Sequence, residues 1–339
     1  MATKIKLALI GCGGIAHAHW RGIQSHAPDI EVTACVDENE ASANAFAEQT
    51  GGIPFTSLTE ALATGDFDSV DLMLPHDLHE EAALQCFAAG KHVCLEKPMA
   101  HTLASAERIL AAGEAHDKVF MVAEQAQYWP DVHKVAELIE AGAIGDVLTG
   151  HGFFFDPLRP DPANPKPWRY HLDRAGGGIS IDGGAHWIRP LRIMLGEIDE
   201  VFAATQSHVE HMEGESLAHA IFRFRSGVIG TFQALMKAGR MGPIVDFRVT
   251  GTDGELIIER GRGGRLMLYD NEHPDGEVVM SDVVTGKMNS YGGELHDFSQ
   301  AILHGTDLAA APRFAMGEFR TAQAMYRSVE SGTWARVWD

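Results

Sequence analysis

Short apolar runs alternate with longer amphipathic stretches through roughly the first third of the chain. Residues 5–10 form one such run, followed by 30–36, 70–74, 91–95 and 119–122. Helical stretches separate them: one beginning near His17, then 41–49, one near 57–64, 79–89 and 102–116. Strands that alternate with helices in this way predict a parallel, doubly wound sheet.

The rhythm changes near residue 145. The runs 146–155, 198–208, 216–225, 228–236, 244–251 and 254–260 follow one another mainly through turns. Within them, Ala220-Ile221-Phe222-Arg223-Phe224 and Val245-Asp246-Phe247-Arg248-Val249 alternate apolar with polar residues. A period of two argues an antiparallel sheet with one face covered. Helices over 182–195, near 293–304 and near 315–330 are expected to cover that face. The pattern therefore predicts an α/β domain over 1–122 and an α+β domain with a large, mainly antiparallel sheet over 123–339, without internal repeats. The last helix is a candidate to pack back on the first domain. Between the two patterns, Pro157, Pro160, Pro162, Pro165 and Pro167 stiffen a loop that reads as a binding loop or lid rather than a spacer.

Composition narrows the partners. The 339 residues include 27 basic and 47 acidic side chains, a net charge of −20. Nucleic-acid and anionic-membrane binding draw on clustered Lys and Arg, so neither is expected. The four cysteines, at 12, 35, 86 and 94, contain no CxxC pair, which argues against a disulfide framework or a cysteine zinc site. The first residues lack a signal-peptide core, and no uncharged apolar run reaches membrane-spanning length. A cytoplasmic protein is expected.

Between the first run and its helix stands Gly11-Cys12-Gly13-Gly14-Ile15-Ala16, which fits G-x-G-x-x-G/A. Gly11 permits the tight turn, Gly13 lets the backbone approach a pyrophosphate, and Ala16 lets the helix pack closely. The first amides of the helix then face phosphate charge. Asp37 ends the second run, 21 residues past Ala16, where a carboxylate binds the adenosine ribose hydroxyls. Glu38 follows it and no Arg stands nearby, so a 2′-phosphate would be repelled and NAD is favoured over NADP.

Three further features carry chemistry. Glu96-Lys97-Pro98 lies at the carboxyl end of a parallel strand, where open α/β sheets place ligands, and the proline is a candidate for a cis bond. In Gly176-Gly177-Gly178-Ile179-Ser180-Ile181-Asp182-Gly183-Gly184-Ala185-His186, Asp182 and His186 are four apart and would share one helix face. A carboxylate beside a histidine suits a general base. Finally, Arg159, Lys166, Arg169, Arg174, Arg189 and Arg192 face only Asp161, Asp173 and Asp182 within 157–192, a local excess of positive charge suited to an anionic substituent. The histidine pairs 17/19 and 76/79 match no closed or HExxH spacing, so no metal is expected. Neither GxSxG nor a Walker motif occurs.

These pieces together resemble the Gfo/Idh/MocA family, the relatives of glucose-fructose oxidoreductase and inositol dehydrogenase. The resemblance rests on the glycine turn with His19, Pro75 with His79, Gly90-Lys91-His92-Val93 leading to Glu96-Lys97-Pro98, residues 138–145, Trp168-Arg169, and Gly176-Gly177-Gly178 with Asp182 and His186. Tyr291-x-x-Glu294-x-x-x-Phe298 is similar to a weaker signature near the family's end. It implies an N-terminal Rossmann domain and a C-terminal domain whose open sheet packs against another subunit as a homodimer or homotetramer. Hydride transfer between NAD and a secondary alcohol carbon of a sugar, cyclitol or sugar derivative is implied, with Lys97, Asp182 and His186 catalytic. Cofactor contacts would come from Gly11, Gly13, Gly14, Ile15, Ala16 and Asp37, and from Pro75, His76, His79, Glu96 and Lys97. Lys97, Gln125, Tyr128, Trp129, Trp168, Arg169, Asp182, His186 and Tyr291 would meet substrate. Where relatives often carry an Asp after the histidine, this chain has Trp187-Ile188-Arg189, an expected extra positive charge near the site. Two alternatives share this fold: a glycoside-cleaving enzyme that recycles its NAD on an acidic glycoside, and a catalytically silent ligand sensor.

Overall fold

The computed structural model describes residues 4–158, 161, 163–239, 241–242, 244–260 and 263–338, leaving aside the side chains of 283–288. Arg159, Pro160 and Pro162 of the expected basic, proline-rich loop lie outside the described residues. The chain divides into two compact units, one comprising 1–128 with 289–316, the other 129–288 with 317–339.

The first unit is built on a six-stranded parallel sheet. Its strands are β1 (Ile5–Ile10), β2 (Ile30–Val36), β3 (Ile53–Phe55), β4 (Ser69–Leu72), β5 (His92–Glu96) and β6 (Phe120–Ala123), in the order β3-β2-β1-β4-β5-β6. Between them run α1 (Gly14–His26), α2 (Glu40–Thr50), α3 (Leu58–Thr64), α4 (His79–Ala88) and α5 (Leu103–Glu114). The side chain of Asn39 accepts from the amides of Ala41 and Ser42, and Thr102 from that of Ser105, so two of these helices start on residues suited to the job. Strands buried on both faces explain the near-continuous apolar runs. Order reverses between β1 and β4, the switch point at whose carboxyl side open sheets bind ligands.

The second unit holds α6 (Pro130–Glu140), β7 (Val147–Pro157), α7 (Leu172–Ala175), α8 (Ala185–Leu195), β8 (Ile198–Gln206), β9 (Leu217–Phe224), β10 (Ile229–Lys237), β11 (Ile244–Gly251), β12 (Gly254–Arg260), β13 (Arg265–Asp270) and β14 (Glu277–Ser281). After α9 (Val283–His304) and α10 (Pro312–Ser331), a short β15 (Ala335–Arg336) completes a sheet ordered β14-β13-β12-β11-β7-β10-β9-β8-β15. Among the described residues of this sheet, only β7 and β10 pair in parallel. Along β9, Ala218, Ala220, Phe222 and Phe224 are buried and His219, Ile221 and Arg223 exposed, the period of two expected there.

Two expectations change. The helix read over 182–195 begins at Ala185, and residues 179–184 form turns in which the Gly184 amide reaches the Ile179 carbonyl at 2.7 Å. Gly183-Gly184 favours this, since glycine gives up the most backbone freedom in a helix. The helix near 293–304 was expected on the second sheet, yet Leu295 and Phe298 sit in the core of the first unit with Leu7, Leu9, Ile23 and Phe46.

Candidate active site

In the first unit the site grows from the end of β1. Gly11 has a φ of +93°, and a Cβ added to it would lie 2.5 Å from the Met73 carbonyl oxygen, so only glycine fits this turn. Gly13 caps α1 without a side chain, and a Cβ added at Gly13 or Gly14 would enter open space. The space beside the first turn of α1, whose first amides have no partner inside the helix, is thus left uncrowded. Ala16 is fully buried and Ile15 half-buried. At the end of β2, Asp37 accepts from the Cys12 amide at 2.8 Å through Oδ2 and from the Asn39 amide at 2.8 Å through Oδ1. A carboxylate is therefore fixed beside the glycine turn, and residues 38–50 contain no Lys or Arg. These residues fit NAD: an uncrowded amide-lined turn for the pyrophosphate and an acceptor for the ribose hydroxyls.

The loops after β4 and β5 are tied together. Pro75 precedes a single 3-10 turn at His76–Leu78, and α4 starts at His79. The His79 ring lies 2.9 Å from the Leu74 carbonyl and 3.0 Å from that of Pro98, fully buried. Burial outweighs the two carbonyls and holds its pKa below the usual imidazole value. His79 and the buried His76 therefore sit beneath these loops. Lys97 follows β5 with its amide on the Ala123 carbonyl, and the Lys97-Pro98 bond is cis.

Beneath Lys97, three motif residues converge. His19 of α1 places Nδ1 2.8 Å from Asp71 Oδ2 and Nε2 2.9 Å from Glu96 Oε1, with Glu294 Oε1 at 3.5 Å. All four are buried. Burial opposes a charge on the ring, but the carboxylates of Asp71, Glu96 and Glu294 outweigh it and hold the pKa well above the usual value. Glu294 is pushed up by burial and by Glu96 and Asp71, against the pull of His19. The ligand-capable atoms of His19, Glu96 and Glu294 lie within 4.8 Å of one another, yet the His19–Glu96 spacing is that of a hydrogen bond. Glu96 is thereby held on the buried His19 ring, and the Tyr291 ring lies 5.5 Å from that of His19. Gln125 accepts from the Ser290 hydroxyl at 2.6 Å, and the Tyr128 hydroxyl donates to Asp297 at 2.6 Å.

In the second unit, Arg169 Nε donates to Asp182 Oδ2 at 2.9 Å while its guanidinium lies 4.3 Å from the Trp168 ring centre. Three of the sequence candidates thus meet. His186 stands in the first turn of α8, its amide on the Gly183 carbonyl. Asp182 belongs to the turn before the helix, so the shared helix face assumed from the spacing does not exist. Trp129 is fully buried, with the Arg260 guanidinium 4.0 Å from its ring centre and Trp187 edge-on at 5.5 Å.

The expected basic surface is corrected too. Arg189 and Arg192 are 1% and 3% exposed and both pair with Glu318, while Arg192 also reaches Glu197. They neutralise buried carboxylates. Arg189, expected to add charge near the site, is spent inside the fold.

Asp71, Glu215, Glu318 and Tyr326 belong to no sequence motif. Asp71 alone left a signal, a carboxylate inside an apolar run. Glu318 and Tyr326 find their side-chain partners across more than a hundred residues and Glu215 meets the amides of Gly178 and Ser180 from 37 and 35 residues away, so nothing local marks them.

Comparison with known proteins gives the family and the fold. Residues 5–124 match the oxidoreductase family with an NAD-binding Rossmann fold, and residues 132–257 match the GFO/IDH/MocA C-terminal domain. The chain is 26% identical over 316 residues to levoglucosan dehydrogenase of Pseudarthrobacter phenanthrenivorans, covering 80% of each chain. It is 28% identical to 1,5-anhydro-D-fructose reductase of Ensifer adhaerens, covering 97% of each. Among solved structures, a dehydrogenase of Bordetella pertussis in complex with NADH and UDP-GlcNAcA superposes with a TM-score of 0.88 at 22% identity, over 99% of this chain and 98% of that one. The N-terminal domain is an NAD-binding Rossmann domain, and the chain is a member of the Gfo/Idh/MocA family of oxidoreductases.

Proposed function

We propose that this chain is an NAD-dependent dehydrogenase of a neutral sugar, cyclitol or sugar derivative, with Lys97, Asp182 and His186 as its catalytic residues. The reading rests on one observation: the glycine turn, Asp37 and Lys97 end β1, β2 and β5 on the carboxyl side of a single parallel sheet. It is supported by relatives named for anhydrosugar substrates. When bound, NAD accepts hydride at its nicotinamide ring. His186 takes the proton of the substrate hydroxyl. Lys97 donates a hydrogen bond to the same oxygen and stabilises the alkoxide charge as it develops. Asp182, held by Arg169, orients the imidazole, and Trp168 and Arg169 face the ring of the substrate. Reduction runs the same steps backwards. A neutral substrate is favoured because Arg189 and Arg192 are consumed by Glu318 and Glu197.

Purified protein with NAD is offered levoglucosan, myo-inositol and glucuronic acid, and NADH absorbance is followed. NADH accumulates with a neutral polyol in preference to glucuronic acid. Lys97→Ala and His186→Ala each lower turnover by about 10² to 10⁴, the usual worth of a positioned proton-transfer group, with NADH affinity unchanged. Sugar release without NADH would instead mean glycoside cleavage, and NAD binding without any hydride transfer a sensor.

The same reading includes a cytoplasmic homo-oligomer joined through the second sheet. Phe202, Ile221 and Ile229 are exposed by 38%, 40% and 49%, on the face of a depression of about 410 Å³ lined by His151, Phe202, Ala204, His219, Ile221 and Thr231. An apolar, self-complementary patch suits a two-fold contact with a second copy.

A further inference from the structure

We propose that Glu215 and Tyr326 are positioning residues for the catalytic turn, a carboxylate–phenol clamp that fixes residues 177–184 and so sets the placement of Asp182. The proposal rests on the active-site reading above and adds two residues that lie outside every motif.

Four successive amides of the turn are engaged by these two residues. Gly178 N donates to Glu215 Oε2 at 2.9 Å, and its amide also faces the Tyr326 hydroxyl at 3.2 Å. Ile179 N donates to the backbone carbonyl of Glu215 at 2.8 Å. Ser180 N donates to Glu215 Oε1 at 2.8 Å, and the Ile181 amide faces the Tyr326 oxygen. The Tyr326 hydroxyl in turn donates to Glu215 Oε1 at 3.1 Å. Glu215 is 7% exposed and Ser180 fully buried, so these bonds stand away from competing water. Burial and the Glu215 charge hold the phenol pKa well above its usual value, which keeps the proton that Tyr326 donates. A buried carboxylate satisfied by backbone amides is a fixed anchor: successive N–H groups form a concave anion site, and here the anion is part of the chain.

The glycines of the segment follow from the clamp. A Cβ on Gly177 would lie 2.1 Å from the Tyr326 hydroxyl, and one on Gly178 would lie 2.1 Å from the Glu215 carbonyl oxygen. From the opposite side, a Cβ on Gly214 would fall 2.6 Å from the Gly178 Cα. The two backbones approach so closely that side chains are excluded from both. Gly183 is closed off by the Phe154 ring, 2.2 Å from where its Cβ would stand. Asp182 lies between these constraints, two residues beyond the last amide that Glu215 holds, and its own amide returns to the Gly178 carbonyl. Its carboxylate is aimed by a turn that cannot shift without breaking the clamp.

Glu215→Gln tests this in the full-length protein. It keeps the side chain's volume but turns an NH2 group toward an amide donor. Tyr326→Phe keeps the ring and loses the hydroxyl, and carries the test if Glu215→Gln does not fold. Amide hydrogen exchange across 177–186 is expected to quicken about tenfold or more in Glu215→Gln and less in Tyr326→Phe, with the rest of the chain unchanged. On a polyol that the NADH screen identifies, kcat falls about 30- to 300-fold in Glu215→Gln, as misplaced catalytic groups do, while KM and NADH affinity stay within about twofold. Unchanged exchange in both variants overturns the clamp, and so does full kcat despite quicker exchange. If Asp182→Asn and His186→Ala retain full turnover, the active-site reading itself fails, and the exchange measurement still decides whether Glu215 anchors the turn.

Discussion

The imidazole of His19 bonds one carboxylate at each ring nitrogen, and only the doubly protonated ring can donate to both. Its pKa is raised well above the usual value, and that of Glu294 is raised as well. Groups with raised folded-state pKa values bind a proton on folding. Their stabilisation is complete below the unfolded pKa and is lost as pH rises through the folded one. The unfolding free energy measured in urea should therefore fall as pH rises above about 6.5, the usual imidazole value, by up to about 1.4 kcal/mol per pH unit for each retained proton. His19→Asn should flatten that slope. A wild-type stability that is level or rises above that pH would refute the charged ring. Asp37 acts at the same scale, through ligand and not through stability. Asp37→Ala should weaken NAD by about 10- to 100-fold, the worth of a charged hydrogen-bond acceptor, and narrow the preference over NADP. If titration by NADH fluorescence shows neither change, the ribose assignment is wrong. Asp37 and Lys97 could be read from sequence because each closes its own strand. The pairing of Asp71 and Glu294 with His19 could not, since that histidine lies 52 and 275 residues away.

At the scale of elements, α8 is held by charge as well as by packing. Trp187, Ile188 and Leu191 are buried, yet Arg189 and Arg192 project from the same helix into the interior, where Glu318 of α10 binds both. Removing one partner of a buried ionic cluster leaves charges without compensation, at a cost of about 3–5 kcal/mol. Glu318→Ala should lose about that much in denaturant unfolding, and a loss below about 1 kcal/mol would mean that the arginines find other acceptors. The elements differed in how plainly the sequence announced them. β9 displayed its period of two because one face is covered, whereas the alternation expected over 245–249 is broken in β11, where the register shifts between Val245 and Phe247 and Asp246 and Phe247 are buried in succession. β13 and β14 escaped notice. β13 carries four consecutive apolar residues, and β14, at the sheet edge, has no buried residue at all, so neither alternates. β3 is three residues long and largely exposed. Edge strands lack the two-sided environment that writes a pattern.

For the molecule as a whole, net charge and exposed apolar area pull in opposite directions. A charge of −20 keeps copies of the chain apart at long range. The outward face around Ile221, however, mixes Phe202, Ile221 and Ile229 with His151, His219 and an Arg223–Glu200 ion pair. The acidic charge was legible from composition, and the apolar face was not, because its residues come from four strands spread over eighty positions. Association through this face should strengthen with salt, since screening removes the general repulsion while burial of apolar area is retained. Light scattering should give at least twice the monomer mass for the wild type. Ile221→Asp places a carboxylate at the centre of the patch and should yield monomers with unchanged far-ultraviolet circular dichroism, because the side chain is already exposed in the isolated chain. A wild type that is monomeric at every salt concentration, or an Ile221→Asp variant that remains fully assembled, would mean that this face does not meet a second copy.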